Sequence, residues 1–330
     1  MVFFVYFVSL GSTTSHCIIL YESVKLLYKI HCDYHTREVS YMLYSIRNPF
    51  LNITVSDTGA ELMSIRSVCG TEYLWQGDSA CWSDRAPNIF PYVARLTKGC
   101  YTYHGKTYPL PIHGFAPTAK FTVTRQTEDS VTFTLESNPE YFTMYPFLFR
   151  FSIRYYLESC TLHVEMKVEN LDNKTMYFGL GGHPGINVPL EEGLTFEDYF
   201  LEFPESQLRR VEFTPACFIT GREDPFPLDN GRLPLRHNMF DDDAIVLKGV
   251  PGQVTLRSEK GSRAVTLIAG DLPVYGFWHM PKTDAPYICL EPWSSLPSRQ
   301  DVVEDLETQS DLIALEAGKT YVTTWSLRCE

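Results

Sequence analysis

From Met42 onward, apolar and polar residues alternate with a period of two in a series of short runs. Phe149, Phe151, Ile153, Tyr155 and Leu157 are separated by mostly polar residues. Leu162, Val164, Met166 and Val168 resume the period beyond Glu158-Ser159. Successive side chains of a strand point to opposite faces, so this pattern predicts a hairpin with one buried face. Phe121/Val123 and Val131/Phe133/Leu135 flank a turn at Thr127–Ser130 in the same way, and Val254/Leu256 and Val265/Leu267 do so around Glu259-Lys260-Gly261. Tyr101–Tyr108 reads as a tighter hairpin turning at His104-Gly105. Helical periodicity is scarce, with Tyr21–Ile30 and Ser298–Leu306 as short candidates. The 21 prolines fall mostly between strand candidates, as expected of a residue that cannot donate to a ladder. No fixed-period repeat, low-complexity tract or Gly/Ser linker interrupts the pattern. Repeated short strands with turn signals predict an all-β fold, a large antiparallel sandwich or barrel.

The first forty residues differ from the rest. Met1–Leu10 is almost wholly apolar but lacks the positive flank of a signal peptide and is too short to span a bilayer. Met42 directly precedes the first convincing strand. Residues 1–41 therefore read as an N-terminal extension outside the core or an upstream mis-start, with a membrane leader as the alternative, and residues 42–330 as one β domain. With 44% hydrophobic and 14% aromatic residues, there is ample material for a buried core. The net charge of −12 and the lack of any Lys/Arg-rich run argue against nucleic acid as a partner. Nine cysteines at irregular spacing include no C-x-x-C pair, which removes the common zinc and thioredoxin patterns. An odd number of cysteines in a chain of this size reads as reduced thiols in a cytoplasm.

Three patches carry acid–base residues among glycine, proline or aromatic neighbours: His113-Gly-Phe-Ala, Gly181-Gly-His-Pro-Gly and Cys289-Leu-Glu-Pro-Trp. Brought together, His113, His183 and Glu291 can both give and take protons near neutral pH. Paired glycines and Pro184 would fix His183 on a stiff turn; a histidine that merely caps a loop is the plainer alternative. Glu291 lies in an otherwise apolar run, where a carboxylate is either paired or desolvated, and desolvation raises its pKa. Arg95 and His113 bracket the Tyr101–Tyr108 hairpin, which could bring them to one sheet end. Arg95 offers a planar fork of donors for hydroxyls or a carboxylate, or else forms a surface ion pair. Asp243, last of an acidic run, leads directly into a strand and could reach a site at its start. His279 reads as a satisfied core histidine, with a place in the site wall as the alternative. Phe115 and Trp293 suit an apolar-walled pocket. Two histidines and a glutamate match the ligand types of zinc enzymes, but no H-x-H or H-E-x-x-H spacing is present, so no metal is expected. There is no G-x-S-x-G elbow and no phosphate-cradling G-x-x-x-x-G-K-[ST].

In their order along the chain, Phe90-Pro-Tyr-Val-Ala-Arg95-Leu, the Gly-Lys-Thr-Tyr hairpin, Leu110-Pro-Ile-His-Gly-Phe-Ala116, Phe178-Gly-Leu-Gly-Gly-His-Pro184, Phe240-Asp-Asp-Asp-Ala244 and Cys289-Leu-Glu-Pro-Trp293 resemble the galactose mutarotase-like superfamily. The nearest resemblance is to the bacterial aldose 1-epimerase-related branch, and it runs from about Met42 to the C-terminus. It implies a large twisted antiparallel β-sandwich with its site in a cleft across one sheet. It also implies interconversion of the α and β anomers of a free aldose by acid–base ring opening and closure, without metal or organic cofactor. By similarity His183 would be the acid at the ring oxygen and Glu291 the base at the anomeric hydroxyl. His113, Arg95, Asp243 and Trp293 would bind the sugar. The better-studied mutarotases carry a different, Asn-containing sequence around the acid histidine and lack the Glu-Pro-Trp pattern. Related hexose-6-phosphate mutarotases would need a basic pocket. Arg95 is the one basic residue this reading places near the site, which points to an unphosphorylated sugar. A non-catalytic carbohydrate-binding protein on the same fold is the alternative of a different class. A lyase or glycosidase would ask for additional domains and a longer chain.

Overall fold

The computed structural model describes residues 6–8, 16–18, 30–31, 41–204 and 207–330. The chain divides into two units, Met1–Ser40 and Tyr41–Glu330. In the first unit Tyr6–Val8, His16–Ile18 and Ile30–His31 pair antiparallel in that order. The helix expected over Tyr21–Ile30 otherwise lies outside the described residues.

The second unit is built on two large antiparallel sheets. One runs Thr122–Gln126, Ser130–Glu136, Phe149–Glu158, Thr161–Asn170, Thr320–Cys329, Ala264–Ile268, Gln253–Ser258, Tyr199–Glu202 and Arg232–Pro234. The expected hairpin sits at its centre, with Phe149 opposite Asn170 and Glu158 opposite Thr161. Its inward residues Phe149, Phe151, Ile153 and Tyr155 are fully buried. The other predicted hairpins form as well: Thr122–Gln126 with Ser130–Glu136, Gln253–Ser258 with Ala264–Ile268, and Cys100–Tyr103 with Lys106–Pro109. The last turns at His104 and Gly105, both at positive φ, the geometry that suits the strand twist.

The second sheet runs Ile219–Pro225, Arg209–Phe213, Ile245–Lys248, Val274–Trp278, Tyr287–Trp293, Gly181–Gly182 and Asn88–Ile89, with Gly185–Asn187 also pairing Tyr287–Trp293. Leu247, Phe277, Ile288 and Leu290 from this sheet join Phe151, Ile153 and Val164 from the first in one continuous core. Alternation then decides where the chemistry goes. With Ile288 and Leu290 committed to the core, Tyr287, Cys289, Glu291 and Trp293 face the other side of the sheet. Tyr287 and Cys289 join one small apolar cluster there, and Trp293 joins another.

Among the described residues one α-helix forms, Pro139–Met144, with Asn138 accepting from Tyr141 N and Pro139 at its start. Ser298–Leu306, expected as a helix, is irregular instead. Its polar groups are bonded to distant chain: Ser298 N donates to Arg95 O, Thr102 N to Glu304 O, and Leu306 N to Thr102 O. Those long-range bonds, with the Arg299–Glu304 ion pair at 2.9 Å, replace the local ladder that a helix would need.

Candidate active site

Strand register places His183 beside Glu291. Trp293 pairs with Gly181 and Cys289 pairs with Gly185, so the intervening Gly182-His183-Pro184 stands opposite Leu290-Glu291-Pro292. The glycines serve close approach more than unusual torsion, since neither Gly181 nor Gly182 has positive φ. A Cβ on Gly182 would lie 2.5 Å from Trp325 Cζ2, and one on Gly181 would strike the Pro292 carbonyl. On the other edge, Glu291 faces Gly276.

The result is a buried acid–base pair. His183 Nε2 lies 3.1 Å from Glu291 Oε2, with His183 9% and Glu291 1% exposed. Neither Glu291 Oε2 nor His183 Nδ1 has an aligned hydrogen-bond partner. Burial raises the Glu291 carboxyl well above its usual value, and the Asp243 charge adds to this against the indole N–H of Trp293. Burial lowers the His183 imidazole well below its usual value, with His113 acting in the same sense. Both directions favour the neutral forms. Burial thus biases the pair toward a protonated carboxyl beside a neutral imidazole. Cys289 Sγ joins the same cluster, its donor atom within 4.8 Å of those of His183 and Glu291. Burial raises that thiol far above its usual value.

His113 meets His183 edge-on, ring centroids 5.3 Å apart. Its position is fixed reciprocally: His113 N donates to Ala94 O at 2.9 Å, and Ala94 N donates to His113 Nδ1 at 3.3 Å. Burial, then the charge of Arg95, lowers its pKa. A neutral ring that accepts at Nδ1 carries its proton on Nε2, so His113 is a fixed donor. Arg95 follows Ala94 and reaches Asp243, Nη2 to Oδ2 3.7 Å. Ala94, His113, Cys217 and Asp243 all have positive φ. Left-handed torsions at residues other than glycine store strain, and here they gather around one site.

Arg95 and Asp243 line a cleft of about 860 Å³ together with Cys217, Trp278 and Lys282. Its wall carries Arg210 and Lys282 as well as Arg95, so Arg95 is not the one cation near the site. Those three cations stand against Glu212, Asp224, Asp241, Asp242 and Asp243, leaving the lining net acidic. Trp278 links the cleft to the pair, its ring 5.7 Å from His183. Trp82, which the strand pattern could not single out, lies 5.1 Å from His183. The indoles bordering the histidine are thus Trp82 and Trp278. Trp293 is buried against Ile89, Val93 and Val246, two residues beyond Glu291 on the same face. His279 is a satisfied core histidine: Nδ1 bonds Met280 O at 2.8 Å and Nε2 faces His237 Nδ1 at 3.2 Å. Phe115 is buried in the main core.

The chain as a whole can be set beside known proteins, which match it in sequence and in fold. The aldose 1-epimerase family matches residues 42–328, and the chain belongs to that family. It is 32% identical to the chromosomal LacX protein of Lactococcus lactis subsp. lactis, over 84% of this chain and 97% of that one. Among solved structures, a galactose mutarotase related enzyme from Lactobacillus acidophilus superposes with a TM-score of 0.83 at 34% identity, covering 88% of this chain and 97% of that one. A galactose mutarotase-like protein from Lactobacillus casei gives a TM-score of 0.83 at 30% identity, over 88% and 100%. The fold is galactose mutarotase-like, as the ordered motifs imply. No helix among the described residues is long and apolar enough to cross a membrane.

Proposed function

We propose that this chain is an aldose 1-epimerase that interconverts the anomers of a free aldose, with His183 and Glu291 as its acid and base. The observation that carries the reading is the buried 3.1 Å contact between His183 Nε2 and Glu291 Oε2; in this reading the two share one proton. Ring opening needs a proton at the ring oxygen as C1–O5 breaks, and loss of a proton from the C1 hydroxyl as it becomes a carbonyl. The working tautomer is imidazolium–carboxylate, reached when the shared proton crosses from Glu291 to His183. His183 then protonates O5, and Glu291 accepts the O1 proton. The bound open chain is left facing neutral imidazole and neutral carboxyl. This is the tautomer that burial favours in the free site. Rotation about C1–C2 and the reverse transfers close the ring from the other face and restore the pair. No proton is gained or lost over a cycle.

In this reading His113 Nε2–H and the Arg95–Asp243 pair hold and polarise the sugar hydroxyls, and Trp293 packs beneath Glu291. Phosphorylated sugars are a second reading, because Arg210 and Lys282 stand in the cleft. The five carboxylates there oppose a dianion, so a neutral aldose fits the wall better. A non-catalytic sugar binder would have no need for a buried carboxyl held protonated, which is costly to fold. Cys69, Cys81, Cys100, Cys160, Cys217, Cys289 and Cys329 are free thiols, which suits a cytoplasmic setting. Polarimetry on freshly dissolved α-aldoses, free and 6-phosphorylated, tests the substrate class. Faster decay with free sugars supports the proposal, acceleration of the phosphorylated set alone favours the second reading, and buffer rates throughout reject both.

A further inference from the structure

The acid–base pair is buried, and Trp278, which lines the cleft, borders its histidine. His183 lies between two indoles, Trp82 at 5.1 Å and Trp278 at 5.7 Å between ring centroids. The indoles meet edge to face, 5.6 Å apart at 80°. Trp278 also lines the cleft, whereas Trp82 is half-buried on a loop.

That loop is held firmly. Trp82 N donates to Asp78 O at 2.7 Å, Ala80 N to Asp78 Oδ1 at 2.8 Å, and Trp75 Nε1 to Trp82 O at 2.9 Å. One indole face is stacked over Tyr287 at 5.5 Å and 28°. Neither tryptophan has a part in the proton transfers. In the cleft that Trp278 lines, the Arg95–Asp243 pair supplies polar groups, so a ligand there meets an indole together with donors and acceptors.

We propose that Trp82 and Trp278 form the platform that takes the sugar as a pyranose, through the C–H face of its ring. The proposal rests on the reading of this site as one for a sugar. A pyranose has a broad apolar face edged by hydroxyls, which matches an aromatic surface together with polar groups. An acyclic polyol presents no such face. With the ring against the indoles, its ring oxygen comes to His183, the residue both indoles border.

The test uses the full chain and two readouts. Methyl α-pyranosides of glucose and galactose cannot open, so their binding, followed by tryptophan fluorescence or calorimetry, is independent of turnover. Anomerisation of the free sugars gives KM and kcat separately. Trp82→Leu and Trp278→Leu are expected to weaken pyranoside binding and raise KM about tenfold each. Trp82→Phe, which keeps an aromatic face, is expected to stay within about threefold of wild type. Circular dichroism confirms that each variant folds. Folded leucine variants with unchanged affinity and KM overturn the platform, as does equal binding of an acyclic hexitol. Anomerisation with tryptophan-independent KM would leave the proposed function standing and reject the platform. Tryptophan-dependent pyranoside binding without anomerisation would do the opposite.

Discussion

His183 Nε2 and Glu291 Oε2 stand 3.1 Å apart in a site that leaves Glu291 1% exposed. Ionising both groups there is opposed by burial, and removing the proton from both leaves an uncompensated buried carboxylate. The pair behaves as a unit with macroscopic titrations rather than as two residues with private ones.

Activity should therefore follow a bell in pH, because only the one-proton form cycles. The imidazole is lowered from 6.5, so the acid limb, where the pair takes a second proton, falls below that value. The carboxyl is raised from 4.5, so the alkaline limb, where the last proton leaves, falls well above it. The measurement is kcat/KM against pH. An acid limb at or above an ordinary histidine value would contradict a buried pair.

Stability should show the same linkage. A carboxyl whose folded pKa is raised contributes stability that is complete below its unfolded value and is lost as pH rises through the folded one. Glu291→Gln removes that loss. Its melting temperature is expected to gain on wild type progressively as pH climbs above about 5, while activity disappears. Parallel melting curves across pH would show that the carboxyl is not held protonated by the fold.

His113 is bound to Ala94 through Nδ1 at 3.3 Å and so offers Nε2–H to the site. His113→Leu should raise KM about tenfold, while His113→Gln, which keeps a donor, should recover much of the loss. Equal KM values for the two variants would remove the hydrogen-bonding role.

Gly182 is there for the backbone to approach Trp325, itself 1% exposed. A methyl at that position would sit 2.5 Å from the indole. Gly182→Ala should cost about 1–3 kcal/mol of unfolding free energy, the range for overpacking a filled core. It should also lower kcat by shifting the adjacent His183. Denaturant titration and kinetics check the two effects separately.

Much of the fold was legible because burial on one face of a strand imposes a period of two. Phe149–Leu157 and Leu162–Val168 announced the central hairpin, and His104-Gly105 announced its tighter companion. Glu291 stood out for a related reason: a carboxylate in an apolar run has few places to go. What escaped depended on contacts distant in sequence. Ser298–Leu306 has local helical spacing, yet its backbone is bonded to Arg95 and Thr102. Trp82 lies on an aperiodic loop, and Arg210 and Lys282 reach the cleft from a strand and a turn with no shared pattern. The short helix carried a readable signal in Asn138-Pro139-Glu140, a cap residue followed by proline and an acid. The neighbourhood of His183 and Glu291 depends on Gly181 and Gly185 pairing two different positions of one strand. A register of that kind is decided by the whole sheet.

The most direct test follows exchange between the α and β anomers of free glucose and galactose by NMR saturation transfer, with wild type, His183→Asn and Glu291→Gln at matched concentration. The account predicts exchange well above the buffer rate for wild type and a loss of about 10²–10⁴-fold in each variant, the usual share of general acid–base catalysis. Wild-type exchange at the buffer rate, or variants that retain the wild-type rate, would contradict it.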